Sequence, residues 1–330
     1  MFSFWKSYGP LEKKDPRLIE SFNSKLKNGT YQLIETDCVV CNSKDREILF
    51  ANDRNHADCQ TVICRQCGLV YTSPRFDEAS NQKFYSSDEY RVIYGDQDLL
   101  DDPTKRMELY ANVSKPQTAG QHYPRLYFDF ITTVYPAPKR VAEIGAGSGW
   151  KLVPFMKMGV ACIGYEYSEG LTKKGRELGI DLRPPPIGDE RFDLIMLNHS
   201  LEHFLDPIAG LKELKPNLED NGYLFIEVPG FEKQVPSLQN AHTFYFSTVT
   251  LEYVLALAGF TAIKTLVNDE TDFILVMAKK NDANKPNISL VEYRRIKNMV
   301  RRYKIKWLFD SKAPSWLRRA RAAMKGRPKE

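Results

Sequence analysis

At 330 residues, with 42% hydrophobic and 27% charged side chains, the chain can bury a sizeable core over about two domains, and its composition excludes a disordered or fibrous protein. No apolar run approaches the roughly 20 residues of a membrane-spanning helix, and the opening Met1-Phe-Ser-Phe-Trp-Lys6 is too short and interrupted for a secretory signal, so a cytoplasmic protein is expected. The net charge of +5 hides an asymmetry: residues 291–330 hold 14 Lys and Arg against 3 Asp and Glu, and the rest of the chain is mildly acidic, with 33 against 39; this argues against a nucleic-acid-binding body and gives the tail a partner of its own.

The first 36 residues read as an N-terminal extension, with an amphipathic helix over Arg17 to Leu26. Five of the six cysteines then fall between Cys38 and Cys67. In a chain without an export signal, such clustering favours a metal over disulfides. Cys38-x-x-Cys41 and Cys64-x-x-Cys67, 22 residues apart, are the paired knuckles of a tetrahedral Cys₄ zinc site. Such a site has no open position, so the metal is expected to be structural. Asn42 and Gly68 follow the knuckles where a tight turn tolerates them. Arg46 to Ala51 and Gln60 to Ile63 read as strands of a zinc ribbon over residues 37–75. Cys59 is the spare, and a register using it breaks the paired knuckles. Residues 76–138 read as a helical linker or cover, helical mainly over Lys105 to Tyr135, with Phe128, Ile131 and Val134 spaced to pack under a sheet. Within it, Phe84-Tyr-Ser-Ser-Asp-Glu-Tyr90 reads either as a cover over a ligand or as ordinary loop aromatics.

Residues 139–281 alternate strand and helix, the pattern of an α/β doubly wound sheet. The expected strands are Arg140–Ile144, Ala161–Glu166, Ile180–Leu182, Phe192–Leu197 and Tyr223–Val228, with a closing antiparallel pair at Ala262–Val267 and Phe273–Ala278. Asn221-Gly222 reads as a turn. After the first strand, Gly145, Gly147 and Gly149 mark a strand-to-helix turn where a ligand can meet backbone N–H groups. Glu143 lies inside the strand, where a carboxylate needs a partner such as a cationic ligand. Glu166 ends the second strand, where a carboxylate can accept both hydroxyls of a ribose.

Glu143-Ile-Gly-Ala-Gly-Ser-Gly149 resembles motif I of the class I S-adenosylmethionine-dependent methyltransferases. Phe192-Asp193 and Leu201-Glu-His-Phe-Leu-Asp-Pro207 resemble the same family around its fourth strand. The resemblance implies a Rossmann-like sheet. It also implies that Glu143, Gly145, Gly147 and Gly149 hold the amino-acid end of S-adenosylmethionine, and that Asn198 and His199 face the reaction site. His203 reads as a residue fixing the loop. His242-Thr-Phe-Tyr-Phe-Ser247 resembles the His-x-x-Tyr-Phe-Ser segment of sugar methyltransferases, which makes His242 a candidate base; a capping histidine ahead of the next helix is the equal alternative. With the zinc ribbon in front, residues 38–280 resemble enzymes that C-methylate nucleotide-linked deoxysugars and related proteins of surface-glycan biosynthesis. Two departures leave O-methylation equally open. Only about 50 residues follow the core, where those enzymes carry a large domain, and Gln239 and Ala241 stand where they have Tyr and Glu.

Residues 282–330 read as a basic amphipathic helical tail. Ser289-Leu-Val-Glu292 has a capping-box pattern, and Ile296, Met299, Val300, Tyr303 and Trp307 share one helix face. A second short helix is expected from Ser315. Basic helices edged with Trp suit an anionic membrane surface on the inner face of a membrane; a protein partner, or packing of 289–308 on the body, is the alternative. The expected function is methylation of a nucleotide sugar or glycan in surface polysaccharide or lipopolysaccharide assembly. RNA methylation and a non-catalytic scaffold for partners at a membrane are the competing classes.

Overall fold

The computed structural model describes residues 16–87, 89–94, 126–235, 238–282 and 284–312. In chain order its strands are β1 (Leu33–Ile34), β2 (Arg46–Phe50), β3 (Thr61–Cys64), β4 (Val70–Thr72), β5 (Arg75–Phe76), β6 (Arg140–Ile144), β7 (Ala161–Tyr165), β8 (Leu182–Arg183), β9 (Phe192–Asn198), β10 (Leu218–Pro229), β11 (Phe244–Tyr245), β12 (Phe260–Val267) and β13 (Phe273–Lys280). Seven of them form one sheet in the order β12-β13-β10-β9-β6-β7-β8. The pairs from β10 through β8 are parallel, and β12-β13-β10 is antiparallel.

The central strands are apolar because both faces are covered. In β9, Leu194 and Met196 pack with Phe128, Phe130 and Ile131 of the helix Leu126–Val134, while Ile195 and Leu197 face the opposite core with Leu251 and Val254. Leu251 and Val254 belong to the helix Thr248–Ala258, which starts on a Ser247/Thr250 capping box and stops at Gly259 in the left-handed region. The helix expected from Trp150 to Met158 is split into a 3₁₀ turn, Trp150–Leu152, and Val153–Lys157. The turn expected at Asn221-Gly222 lies inside β10: Leu218 already pairs with Phe192, and the register shifts before Tyr223. Of the helical stretch read over Lys105 to Tyr135, the part before Leu126 lies outside the described residues.

The N-terminal module is joined to this domain by a shared sheet. Strands β2, β3 and β4 form the expected ribbon, and β11 completes it on β4. Because β11 follows His242 directly, the ribbon holds the loop that carries that histidine. Thr72 reinforces the join: its N–H donates to the Thr243 carbonyl at 2.9 Å and its hydroxyl to the His242 carbonyl at 2.9 Å. The aromatics Phe84, Tyr85 and Tyr90 stand on the helices Glu78–Ser86 and Glu89–Ile93, the first capped by Asp77.

The tail helix, Leu290–Lys312, lies on the ribbon. Ile296 and Val300 are buried against Leu49, Ile63, Val70 and Phe231, and Met299 and Tyr303 pack beside them. Its polar side is tied down as well: the Tyr293 hydroxyl and Lys297 Nζ each donate to Glu47 at 2.8 Å, and Lys304 donates to the Leu49 carbonyl at 2.6 Å. Of the two readings of 289–308, packing on the body is the one the described part of the helix adopts: Ile296 and Val300 are buried, while basic residues such as Arg294, Arg301 and Arg302 stay exposed. The capping box is also absent: Glu292 pairs with Arg295 instead of reaching back to Ser289. The Trp307 side chain and the helix expected from Ser315 lie outside the described residues. No described helix is long and apolar enough to cross a membrane.

Gly68 marks where tail meets knuckle. Its φ is +79°, and a Cβ there would lie 2.7 Å from the Tyr293 nitrogen. Gly159 shares that φ but has open space around it. Gly159→Ala should therefore cost about 1–2 kcal/mol from backbone strain alone. Gly68→Ala should cost roughly 1–3 kcal/mol more, from overpacking, and should expose the tail helix to limited proteolysis. Urea unfolding of the two variants checks the difference.

Candidate active site

The carboxyl ends of the parallel strands converge on one cluster of polar side chains. From β6 come Glu143 and the glycine turn, from the end of β7 Glu166, from β9 Asn198 and His199, and from β10 Glu227. The three glycines have different duties. A Cβ at Gly145 would strike Ser200 at 2.8 Å, and one at Gly149 would strike Ile180 at 2.9 Å, so these two exist for close internal packing. Gly147, at φ +59°, has only Leu171 at 3.9 Å before its Cα, and is the one that leaves room for a ligand.

Glu166 is already oriented. Its Oε2 accepts the Gly147 N–H and its Oε1 the Ser168 N–H, both at 2.9 Å, so the carboxylate is locked across the turn with its outer lone pairs free. Glu143 is 1% exposed. Its Oε1 accepts from Asn198 Nδ2 at 2.9 Å, but Oε2 and the Asn198 Oδ1 have no partner, and Ser148 and Ser200 beside them are also unsatisfied. Burial pushes the Glu143 carboxyl up to about 8, against the pull of Lys151 and Asn198.

Lys151 and Glu227, absent from the sequence reading, form a buried ion pair at 3.4 Å. Their only sequence signal is position: one on the turn after the glycines, the other at the end of the fifth strand. His199 sits in the left-handed region at φ +50°, unusual for a non-glycine residue. Its N–H donates to the Glu227 carbonyl at 2.8 Å. Its ring stands edge-on to Phe273, with Nδ1 3.6 Å from Glu202 Oε1 and Nε2 3.9 Å from Glu227 Oε2.

His242 is brought beside His203, ring centroids 4.9 Å apart. It is buried and touches the Gln239 amide through Nε2 at 2.6 Å, while Nδ1 has no partner. Burial, then the neighbouring His203, pushes its basicity well below the ordinary histidine range. His203 Nδ1 lies 2.8 Å from both the Tyr85 hydroxyl and the Ala241 carbonyl. Tyr85 and Tyr90, of the cluster read at Phe84 to Tyr90, stand edge-on to the His203 ring with centroids at 5.7 and 5.5 Å. Glu202 is buried beside these histidines. Burial works to raise its carboxyl, but His199 and then His203 hold it down at about 2.

Away from this cleft, Cys38, Cys41, Cys64 and Cys67 gather as expected. All four sulfurs lie within 4.8 Å of one another, and Cys38–Cys67 and Cys41–Cys64 approach to 3.4 Å. Cys59 is elsewhere, packed with Phe22, Phe76 and Phe84, so the paired-knuckle register is the one the fold assembles.

With the geometry in hand, residues 119–265 match the family model described as a methyltransferase domain. The chain carries a class I, S-adenosylmethionine-dependent methyltransferase domain. It is 26% identical over 145 residues to the demethylmenaquinone methyltransferase of Corynebacterium kroppenstedtii, covering 42% of this chain and 59% of that protein. It is 31% identical over 127 residues to the ubiquinone biosynthesis O-methyltransferase of Parvibaculum lavamentivorans, covering 35% of this chain and 47% of that one. The chain thus spans about half the length of the curated relatives it matches. Among solved structures, the Burkholderia thailandensis 1,6-didemethyltoxoflavin-N1-methyltransferase superposes with a TM-score of 0.46 at 17% identity, covering 65% of this chain and 96% of that one, a likeness too distant to carry an argument.

The methyltransferase domain has a measurable pH signature. With its pKa raised from 4.5 to about 8, Glu143 binds a proton in the folded protein that the unfolded chain has released. Its contribution to stability is complete below about pH 4.5 and is lost as pH rises to about 8, with a slope of up to ~1.4 kcal/mol per pH unit. Glu143→Gln should flatten that slope and make the ligand-free protein more stable than wild type at pH 9. Urea midpoints across pH 5 to 9 decide it.

Proposed function

We propose that the protein transfers a methyl group from S-adenosylmethionine to a hydroxyl of a small polar acceptor. The observation that carries this reading is the pair of orphaned acceptors, Glu143 Oε2 and Asn198 Oδ1. Once Glu143 gives up its proton both are acceptors, and they call for a ligand that donates, as the ammonium of an amino acid does. Gly147 leaves the space beside them, and the pre-set Glu166 carboxylate presents its outer lone pairs to a ribose. S-adenosylmethionine supplies a methyl on a sulfonium that departs readily, so the chain's own task is to align the acceptor oxygen and remove one proton.

Of the two histidines considered as bases, His199 is the better placed. It is partly exposed, and Glu202 stands behind its Nδ1 as a carboxylate that would stabilise the protonated ring. His242 is buried and weakly basic, and we assign it no proton transfer. The Cys₄ cluster fits a tetrahedral zinc: sulfurs bound at about 2.3 Å lie roughly 3.8 Å apart, within the spread of these four. We assign it a structural role, stabilising the ribbon that holds the His242 loop.

For the acceptor we favour a sugar ring, as in a nucleotide sugar or glycan precursor. Tyr85, Tyr90 and His203 form a wall that combines ring faces with polar tips, suited to a hydroxylated ring. A hydroxylated quinone precursor is the second reading, supported by the names of the curated relatives. Calorimetry with S-adenosylmethionine tests the donor site: Glu166→Ala should weaken binding about tenfold or more, and wild type that binds none would contradict the proposal. A screen with labelled methyl donor across nucleotide sugars, glycan fragments and quinols identifies the acceptor. On the acceptor found, His199→Ala should lower kcat by about 10²-fold or more.

A further inference from the structure

We propose that Glu202, His203 and His242 bind a divalent metal ion, of the zinc and cobalt class, at a second site separate from the cysteine centre. One ligand atom from each of the three lies within 4.8 Å of the others. The residues come from the 3₁₀ turn after β9 and the loop held by β11, and the ribbon join is what brings them together.

The protonation pattern favours a ligand set. A carbonyl oxygen accepts only from an N–H, so the Ala241 carbonyl at 2.8 Å places the His203 proton on Nδ1. The lone pair is then on Nε2, which faces Glu202 Oε1 at 4.0 Å. Gln239 does the same for His242. With its side-chain amide turned so that Oε1 accepts from His242 Nε2, the lone pair lies on the unpartnered Nδ1, and the amide nitrogen takes the place of an oxygen that had no partner. Glu202 completes the set. It is 1% exposed and neither oxygen has a hydrogen-bond partner, an arrangement that costs several kcal/mol unless a cation is present. Two imidazoles, each fixed in orientation by its other nitrogen on Ala241 or Gln239, plus one carboxylate, form the ligand set of a site with open positions. Closure to ligand separations of about 3.3 Å requires each side chain to move by roughly 1 Å or less.

If the methyl-transfer reading holds, on which this role rests, an ion held by Glu202, which lies 3.6 Å from His199 Nδ1, would lower the pKa of an acceptor hydroxyl bound to it. The hydroxyl proton passes to His199, the oxygen lone pair forms the new carbon–oxygen bond to the methyl, and the pair of the broken carbon–sulfur bond stays on sulfur.

The site is tested without reference to activity. The full chain is loaded with zinc, dialysed and analysed by elemental mass spectrometry, and in parallel loaded with cobalt(II) for absorption spectroscopy. Wild type should hold a second metal equivalent beyond the cysteine centre. Glu202→Gln and, separately, His242→Ala should each lose that equivalent and the cobalt absorption of the nitrogen and oxygen site. The sulfur-to-cobalt charge-transfer bands should persist in both variants, showing that the ribbon is still folded. A single equivalent in wild type, or a second equivalent that survives in both folded variants, overturns the proposal. Either result leaves S-adenosylmethionine binding, measured on the same samples, as an independent outcome.

Discussion

The pairing of β11 with β4 is the constraint on which the rest of the molecule depends. Four residues, Val70, Tyr71, Phe244 and Tyr245, make one sheet out of two modules far apart in sequence. On one side of that sheet lies the core shared with the helix Thr248–Ala258, and on the other the tail helix. The loop before β11 has no strand of its own. It is held by Thr72, and by Asp53, which accepts the Asn240 N–H at 3.3 Å. A metal held by the four cysteines, as proposed, would therefore act on the His242 loop at a distance, through the hydrogen bonds of Thr72 and Asp53.

The cleft divides its work by burial. Near the glycine turn, polar atoms are buried and unsatisfied, and the carboxyl of Glu143 is kept protonated by desolvation. Those atoms are at low energy only when a cationic ligand occupies the site. Toward the ribbon, histidines surround Glu202, whose carboxyl they keep ionised. The two acids thus differ in charge state because burial outweighs Lys151 and Asn198 at Glu143, whereas the imidazoles around Glu202 outweigh it there. In the proposed reaction the donor's ammonium would meet the first and the acceptor would shed its proton near the second.

Much of this was legible in the chain itself. Strands such as Arg140–Ile144 and Phe192–Asn198 are runs of apolar residues buried on both faces, and that signal is local. The cysteine knuckles are equally local, since each pair is fixed by a three-residue spacing. Asp77, the cap of Glu78–Ser86, is a readable signal of a helix running through Phe84 and Tyr85, which the two readings of that cluster, ligand cover or loop aromatics, left out. What could not be read was long-range. Nothing in the spacing of Glu202, His203 and His242 shows that they meet, because the ribbon that joins them lies about 130 residues upstream. The Lys151–Glu227 pair is hidden for the same reason, and the tail helix could be assigned to membrane or body only once the face it buries was known.

The central claim is that Glu143, protonated in the free protein, receives the cationic end of the methyl donor. Calorimetry of S-adenosylmethionine binding near pH 7, in buffers of different ionisation enthalpy, tests it most directly. The account predicts release of close to one proton per donor bound, abolished in Glu143→Gln. Binding without proton release, or release that persists in Glu143→Gln, would contradict it.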